Sequence, residues 1–287
     1  MFLTQDASLK SISSHPNYYG TGKFMNTQLT PRKFRIMLAT DEPLLALETR
    51  RRCDAVVLVA PRMPDEELAR LLPDLQPAVL LNRRIEGAGL PQLDVDWASG
   101  IRDLVRHLAG LGHRRIAYLQ GPAASRSNAA RERALDAAVD VEVVKIACGA
   151  MFHDGHAAAG QVLDAGVTAV VAFNDVAALG LLGALHELGT DVPGELSVVG
   201  FDDIPFAAYT WPPLTTAWVP QEQMGRLAWE RLSALLTPTD AVDGLAAPPV
   251  VGGPEVEASG DQPAAEQMLM RPRLVVRGST GRAPGSS

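Results

Sequence analysis

The sequence predicts an α/β protein built on a doubly wound parallel sheet, or on two of them. Three observations carry that reading. From Phe34 onward, short apolar β-branched runs alternate with amphipathic helical stretches. Runs such as AVVLVA (55–60) and LSVVGF (196–201) are almost continuously apolar, as strands covered on both faces must be. Polar residues close several runs: Asn82-Arg83-Arg84, Asn174-Asp175 and Asp202-Asp203.

FRIMLAT (34–40) reads as a strand, and DEPLLALETRRR after it as a short helix with an acidic start and a basic end. AVVLVA follows as a strand, then a helix from Pro64 to about Leu72, then the strand AVLLN (78–82). QLDVD (92–96) comes after a Gly/Pro-rich turn. Trp97 to Leu111 places Ile101, Leu104, Val105 and Leu108 at helical spacing, and Gly112 stops it. IAYLQG (116–121), VEVVKIA (141–147), AVVAFN (169–174) and LSVVGF are strands. Helices over 129–139, 153–165 and 175–188 separate them.

Composition narrows the function classes. At 287 residues, 47% hydrophobic and 21% charged, the chain suits one large unit or two ordinary domains. No apolar run reaches the roughly 20 residues a bilayer crossing needs, and MFLTQDASLKSISS lacks the features of an export signal. The expected compartment is the cytoplasm. Residues 237–267 carry six acidic and no basic residues, so most of the net charge of −7 resides there. Rich in Ala, Pro and Gly, they read as an acidic flexible insertion. Residues 1–33 hold three of the four lysines and form an atypical N-terminal segment. No basic patch with interleaved aromatics supports direct nucleic-acid contact.

Catalytic, cofactor and metal signatures are missing: no GxSxG, GxxxxGK[ST], HExxH or GxGxxG after a strand. Cys53 and Cys148 stand in no CxxC motif and read as buried thiols, and His153 and His156 as a solvated helix face. His113, after Gly112, is expected to interact with the end of the preceding helix. What remains is the polar closure of the strands. Ligands of open α/β sheets bind at the carboxyl ends of strands. A carboxylate (Asp202), side-chain amides (Asn82, Asn174) and guanidinium groups there are equipment for hydrogen bonding a hydroxylated small molecule. Asp175 and Asp203 read instead as a helix cap and a turn residue.

Several segments together resemble the LacI/GalR family of bacterial transcription regulators. These are CDAVVLVAPRM (53–63), HLAGLGHRRIAYLQGP (107–122), AARERALDAA (129–138), AVVAFNDVAALGLLGALHELG (169–189), VPGELSVVGFDDIPFAAYTWPPLTT (192–216) and RLVVRGST (273–280). The resemblance implies two doubly wound parallel-sheet lobes of the periplasmic-binding-protein-like type. The first would hold 34–95 and 217–236, the second 96–216 and 268–280. By motif, the resemblance assigns ligand contacts to Arg133 of ARER, Asn174 of FND, Asp202 of GFDD and the aromatic Phe152. For Arg131 a ligand role and a solvated-helix role both stand. SISSHPNYY (11–19) is similar to the loop after the family's first strand, which adds Tyr18.

The function this implies is a ligand-responsive transcriptional regulator of repressor type. The chain would supply its effector-binding and dimerisation part, taking a sugar or related polyol. A homodimer is implied, with operator DNA met only through a helix-turn-helix that no segment here matches. A solute-binding protein of the same fold is the alternative. An enzyme would need an acid/base pair or a cofactor motif, and neither is found.

Overall fold

A computed structural model of the chain describes residues 2–3, 36–39, 54–236 and 267–285. The expected helix after FRIMLAT, the 237–267 insertion apart from its last residue, and Tyr18 lie outside the described residues. The chain divides into two units, Met1–Asp94 with Gln221–Leu269 and Val95–Pro220 with Met270–Ser287.

In the first unit, β1 (Phe2–Leu3) pairs antiparallel with β2 (Ile36–Ala39). Parallel pairing then runs from β2 through β3 (Ala55–Val59) and β4 (Ala78–Leu81) to β5 (Gln92–Val95). The strand Gln267–Met270 lies beyond β5. All residues of β3 and β4 are buried, which is why their sequences show no alternation. The helix α1 (Asp65–Leu71) opens on three carboxylates and closes on Arg70, charges that complement its dipole. Its Leu68 packs with Val56, Leu58 and Leu80 in one core cluster.

The second unit has a four-stranded parallel sheet in the order β7 (Glu142–Ala147), β6 (Arg115–Gln120), β8 (Ala169–Ala172), β9 (Ser197–Val199). Its helices are α2 (Trp97–Gly110), α3 (Arg126–Asp136), α4 (Phe152–Ala157), α5 (Ala159–Asp164) and α6 (Asp175–Glu187). The helix expected over 153–165 is therefore two, interrupted at Ala158. β10 (Thr216–Trp218) pairs antiparallel with Arg273–Val275 in a separate ribbon. β10 thus belongs wholly to the second unit, and the chain leaves that unit after Pro220 rather than at 216.

Local chemistry sets these elements. Asp96 caps α2 by accepting from Ser99 N at 3.0 Å, and Ser125 caps α3 by accepting from Asn128 N at 3.2 Å. Gly112, at φ 95°, ends the α2 region, with His113 N donating to Leu108 O at 3.1 Å. α4 and α6 cross at Gly155 and Gly180. A Cβ on Gly155 would meet the Ala177 carbonyl, and one on Gly180 the Phe152 carbonyl. The absence of two side chains lets the backbones touch.

The His113 ring goes further than the helix end. Fully buried, it bonds Thr168 Oγ1 at 2.8 Å through Nδ1, and Ser197 Oγ and Gly281 O at 3.1 Å through Nε2. It ties β9 and the C-terminal run to the end of α2. Burial lowers its pKa, the Gly281 carbonyl raises it, and nearby His107 lowers it again.

Two outcomes follow for stability. Gly180→Ala forces a methyl group into the Phe152 carbonyl and should cost about 1–3 kcal/mol in denaturant unfolding, whereas Gly160→Ala, which meets open space, should not destabilise. Because the folded pKa of His113 lies below 6.5, the unfolded chain takes up the proton first. Its stabilisation is complete above about pH 6.5 and is lost as pH falls below it. His113→Gln should therefore show a smaller fall in stability on acidification than the wild type.

Candidate functional site

The second unit gathers its polar strand ends around one buried guanidinium. Arg131 projects from the inner face of α3 and is 2% exposed. Its Cζ lies 3.9 Å from the ring centroid of Phe201, 4.5 Å from that of Phe173 and 4.6 Å from that of Trp97. Nη1 donates to the Phe173 carbonyl, and Nε is buried without a hydrogen-bond partner. Trp97 and Phe201 themselves meet at 5.7 Å with ring planes 41° apart. The rings can come this close because glycines lie beneath two of them: Gly100 under Phe201 and Gly121 under Phe173. The arginine thus trades water for three aromatic faces and a carbonyl.

α3 is held in this register from below. Tyr118 Oη donates to Asn128 Oδ1 at 2.9 Å, Gly121 N donates to the same oxygen at 2.8 Å, and Asn128 Nδ2 donates to Glu132 Oε1 at 2.6 Å. Burial pushes the Tyr118 hydroxyl up to about 12. From the Ser125 cap, Asn128, Arg131 and Ala134–Leu135 share one face, all buried.

Two carboxylates belong to the same cluster. Asp175 is fully buried and uses both oxygens: Thr216 Oγ1 donates to Oδ1 at 2.6 Å and Ile204 N to Oδ2 at 2.8 Å. Its own N donates to Phe201 O at 2.9 Å. Asp202 sits in the left-handed region at φ 113°, stitched to β10 by its N donating to Ala217 O at 2.8 Å. It is 6% exposed, and its buried Oδ2 has no partner among the described residues. Burial raises its pKa to about 7 against the pull of Arg131. Asp175 is also raised, by burial first and then by Asp202. Among the described residues, this leaves a buried acceptor unspent next to a caged cation.

Comparison with known proteins follows the same lines. Residues 105–280 match the family described as periplasmic binding protein-like domain. An uncharacterised HTH-type transcriptional regulator of Streptomyces limosus is 34% identical over 264 residues, 86% of this chain and 68% of that protein. The chain belongs to the LacI/GalR family. It is also 34% identical to the HTH-type transcriptional regulator GalS of Salmonella typhimurium over 189 residues, 63% of this chain but 56% of GalS. The chain thus spans little more than half the length of several curated relatives. A LacI family transcriptional regulator from Enterococcus faecium, solved with bound ribose, shares the fold at a TM-score of 0.76. There the identity is 21%, with 94% of this chain and 96% of that one covered.

Within this family frame, the residues singled out from sequence fall into distinct places. Asp202 and Asn174 stand at the cluster. Asn174 caps α6, its Oδ1 accepting from Ala177 N at 2.9 Å and its Nδ2 donating to Ala150 O at 3.0 Å. The cap is therefore Asn174 and not Asp175, which is a buried anchor. Arg133 lies on the exposed face of α3, turned by about 200° from Arg131, two residues earlier in the helix. Its place in the cluster is taken by Arg131.

Phe152 stands apart from the cluster. It begins α4, is half-exposed, and its ring lies over α6 beside Gly183, more than two turns beyond Asn174. Asn82 belongs to the first unit, at φ 55° with a buried, unpartnered Oδ1. The neighbouring Arg83 is spent on the 61–65 loop, donating to Pro61 O and Met63 O at 2.9 Å and pairing with Asp65. Asp203 pairs with Arg277 at 2.7 Å. Sequence reading missed Phe173, Phe201 and the inward role of Trp97. The signal was three aromatics each adjoining a polar strand end or helix start.

The raised Asp202 pKa sets a pH dependence. The folded state holds this proton more tightly than the unfolded chain, whose value is 3.8. Asp202 therefore contributes stability that is present at low pH and lost as pH rises to about 7. Asp202→Asn removes that loss. Its melting temperature relative to wild type should rise between pH 5 and pH 8, as read by parallel thermal scans.

Proposed function

We propose that this chain is the effector-binding part of a LacI/GalR-type transcriptional regulator. Its effector is a small polyhydroxylated molecule, a sugar or related polyol, held by Asp202, Arg131 and Asn174. The observation that carries this reading is Asp202 Oδ2, buried and unpartnered beside a caged guanidinium. A carboxylate accepts hydroxyl donors, while an arginine and an amide donate to hydroxyl oxygens. Such a set, without an activated nucleophile or an acid/base pair, binds and does not transform. The ribose in the Enterococcus faecium regulator supports a sugar as the class.

The relatives' names, HTH-type transcriptional regulators, support the DNA-directed part of the proposal. The regulator acts in the cytoplasm on operator DNA through a helix-turn-helix, to which no residue of this chain is assigned. It works as a homodimer. Exposed aromatics on one stretch of the second unit, Phe206, Tyr209 and Trp211, at 68%, 86% and 91% exposure, favour self-association. No helix among the described residues is long and apolar enough to cross a membrane.

Thermal melts against a panel of pentoses, hexoses and disaccharides test the site. At least one sugar should raise the melting temperature of the wild type. Asp202→Ala should weaken that sugar by ten- to hundredfold, the loss of about 1.5–3 kcal/mol for a hydrogen bond to a charged group. Arg133→Ala should leave the shift unchanged. Full ligand-induced stabilisation in Asp202→Ala would show the site to be elsewhere.

A further inference from the structure

Arg131 and Asp202 are close enough to influence each other's charge, yet they form no ion pair. In a buried cluster that is unexpected, since an adjacent guanidinium and carboxylate ordinarily collapse into a forked, doubly hydrogen-bonded pair. The reason lies in what surrounds the guanidinium. Phe201, Phe173 and Trp97 close on it at 3.9, 4.5 and 4.6 Å, and Nη1 is committed to the Phe173 carbonyl. Phe173 and Phe201 are in turn wedged against Gly121 and Gly100, so the rings cannot retreat.

The remaining charged and titratable neighbours do not fill the gap. Asp175, from the start of α6, is saturated by Thr216 and Ile204. Asp203, in the same loop as Asp202, is taken by Arg277. Tyr118, from β6, donates to Asn128 and is also hydrogen-bonded with Arg131, so its hydroxyl joins the groups that hold the guanidinium. Among the described residues, none hydrogen-bonds Asp202 Oδ2.

We propose that Trp97, Phe173 and Phe201 act as a clamp that holds Arg131 away from Asp202, keeping the carboxylate unpaired for the effector. The three rings are positioning residues: they act on the effector through Arg131. The inference rests on the reading of Asp202 as an effector contact. It adds what makes that contact affordable to a neutral polyol, which need not break an ion pair on arrival. Burial raises the Asp202 carboxyl to about 7, and Arg131, held short of an ion pair, lowers it only in part. Were the clamp to open, the pair would form and the carboxyl would return toward the ordinary range.

That difference is measurable without any sugar. Carboxyl carbon-13 labelling of aspartate in the full chain, with Asp202→Asn used to identify the signal, gives the titration midpoint of Asp202 directly. In the empty wild type it should lie near 7. Trp97→Leu frees one face of the guanidinium and should lower the midpoint by about 1–3 pH units as the ion pair forms. Trp97→Phe, which retains a ring, should restore the high value. Phe173→Leu serves as a second opening of the clamp should Trp97→Leu fail to fold. A wild-type midpoint near 4, or a folded Leu variant with an unmoved midpoint, overturns the proposal. A sugar panel with no response would fail the effector reading and leave this measurement standing.

Discussion

Asp175 holds together the polar cluster at the strand ends of the second unit. A fully buried carboxylate is costly unless its oxygens are satisfied, and here the satisfying groups come from different parts of the chain. Thr216 brings β10, Ile204 N brings the loop after β9, and the backbone N of Asp175 itself fixes Phe201. Gly200 must be a glycine because its Cβ would run into Asp175 Oδ1. With these three ties in place, the chain can hold Asp202 and Asp203 at positive φ, conformations that cost an L-residue free energy on their own. The exposed-looking tetrapeptide GFDD is thus shaped by a residue 27 positions earlier in the chain.

Charge count then decides what the cluster can welcome. One guanidinium faces two carboxylates, one of them already saturated by donors. Burial raises both carboxyls, Asp202 to about 7, and a neutral molecule rich in hydroxyls adds donors without adding charge. The aromatic surfaces bordering the guanidinium offer the apolar complement that the CH faces of such molecules prefer.

The fold was legible in the sequence because strands buried on both faces are apolar without alternation, as in AVVLV and AVLL. Helix limits were legible through Asp96, Ser125 and Gly112, whose chemistry acts within a few residues. The site was legible only where a polar residue ends a strand. Motif identity points to Arg133, whereas helical phase points inward at Arg131. Counting from the Ser125 cap puts Asn128, Arg131 and Leu135 inside and Arg133 outside. His113 could not be read, since Thr168, Ser197 and Gly281 lie 55, 84 and 168 residues away. Nor could the Ala158 interruption, which follows from two helices pressed together at glycines.

The ties of His113 and Ser279 to the chain's last stretch bear on the order in which the molecule assembles. Ser279 Oγ donates to Val198 O at 2.6 Å and accepts from Thr215 N at 2.8 Å, and Gly281 N donates to Ser197 Oγ at 3.0 Å. β9 therefore completes its edge with residues made about eighty positions later. A ribosome that has released residues 95–220 has not yet supplied the strand Arg273–Val275 or the hydroxyl that β9 requires. The edge of β9 is complete only with Ser279 and Gly281 in place, and a chain arrested near residue 240 lacks both of those partners.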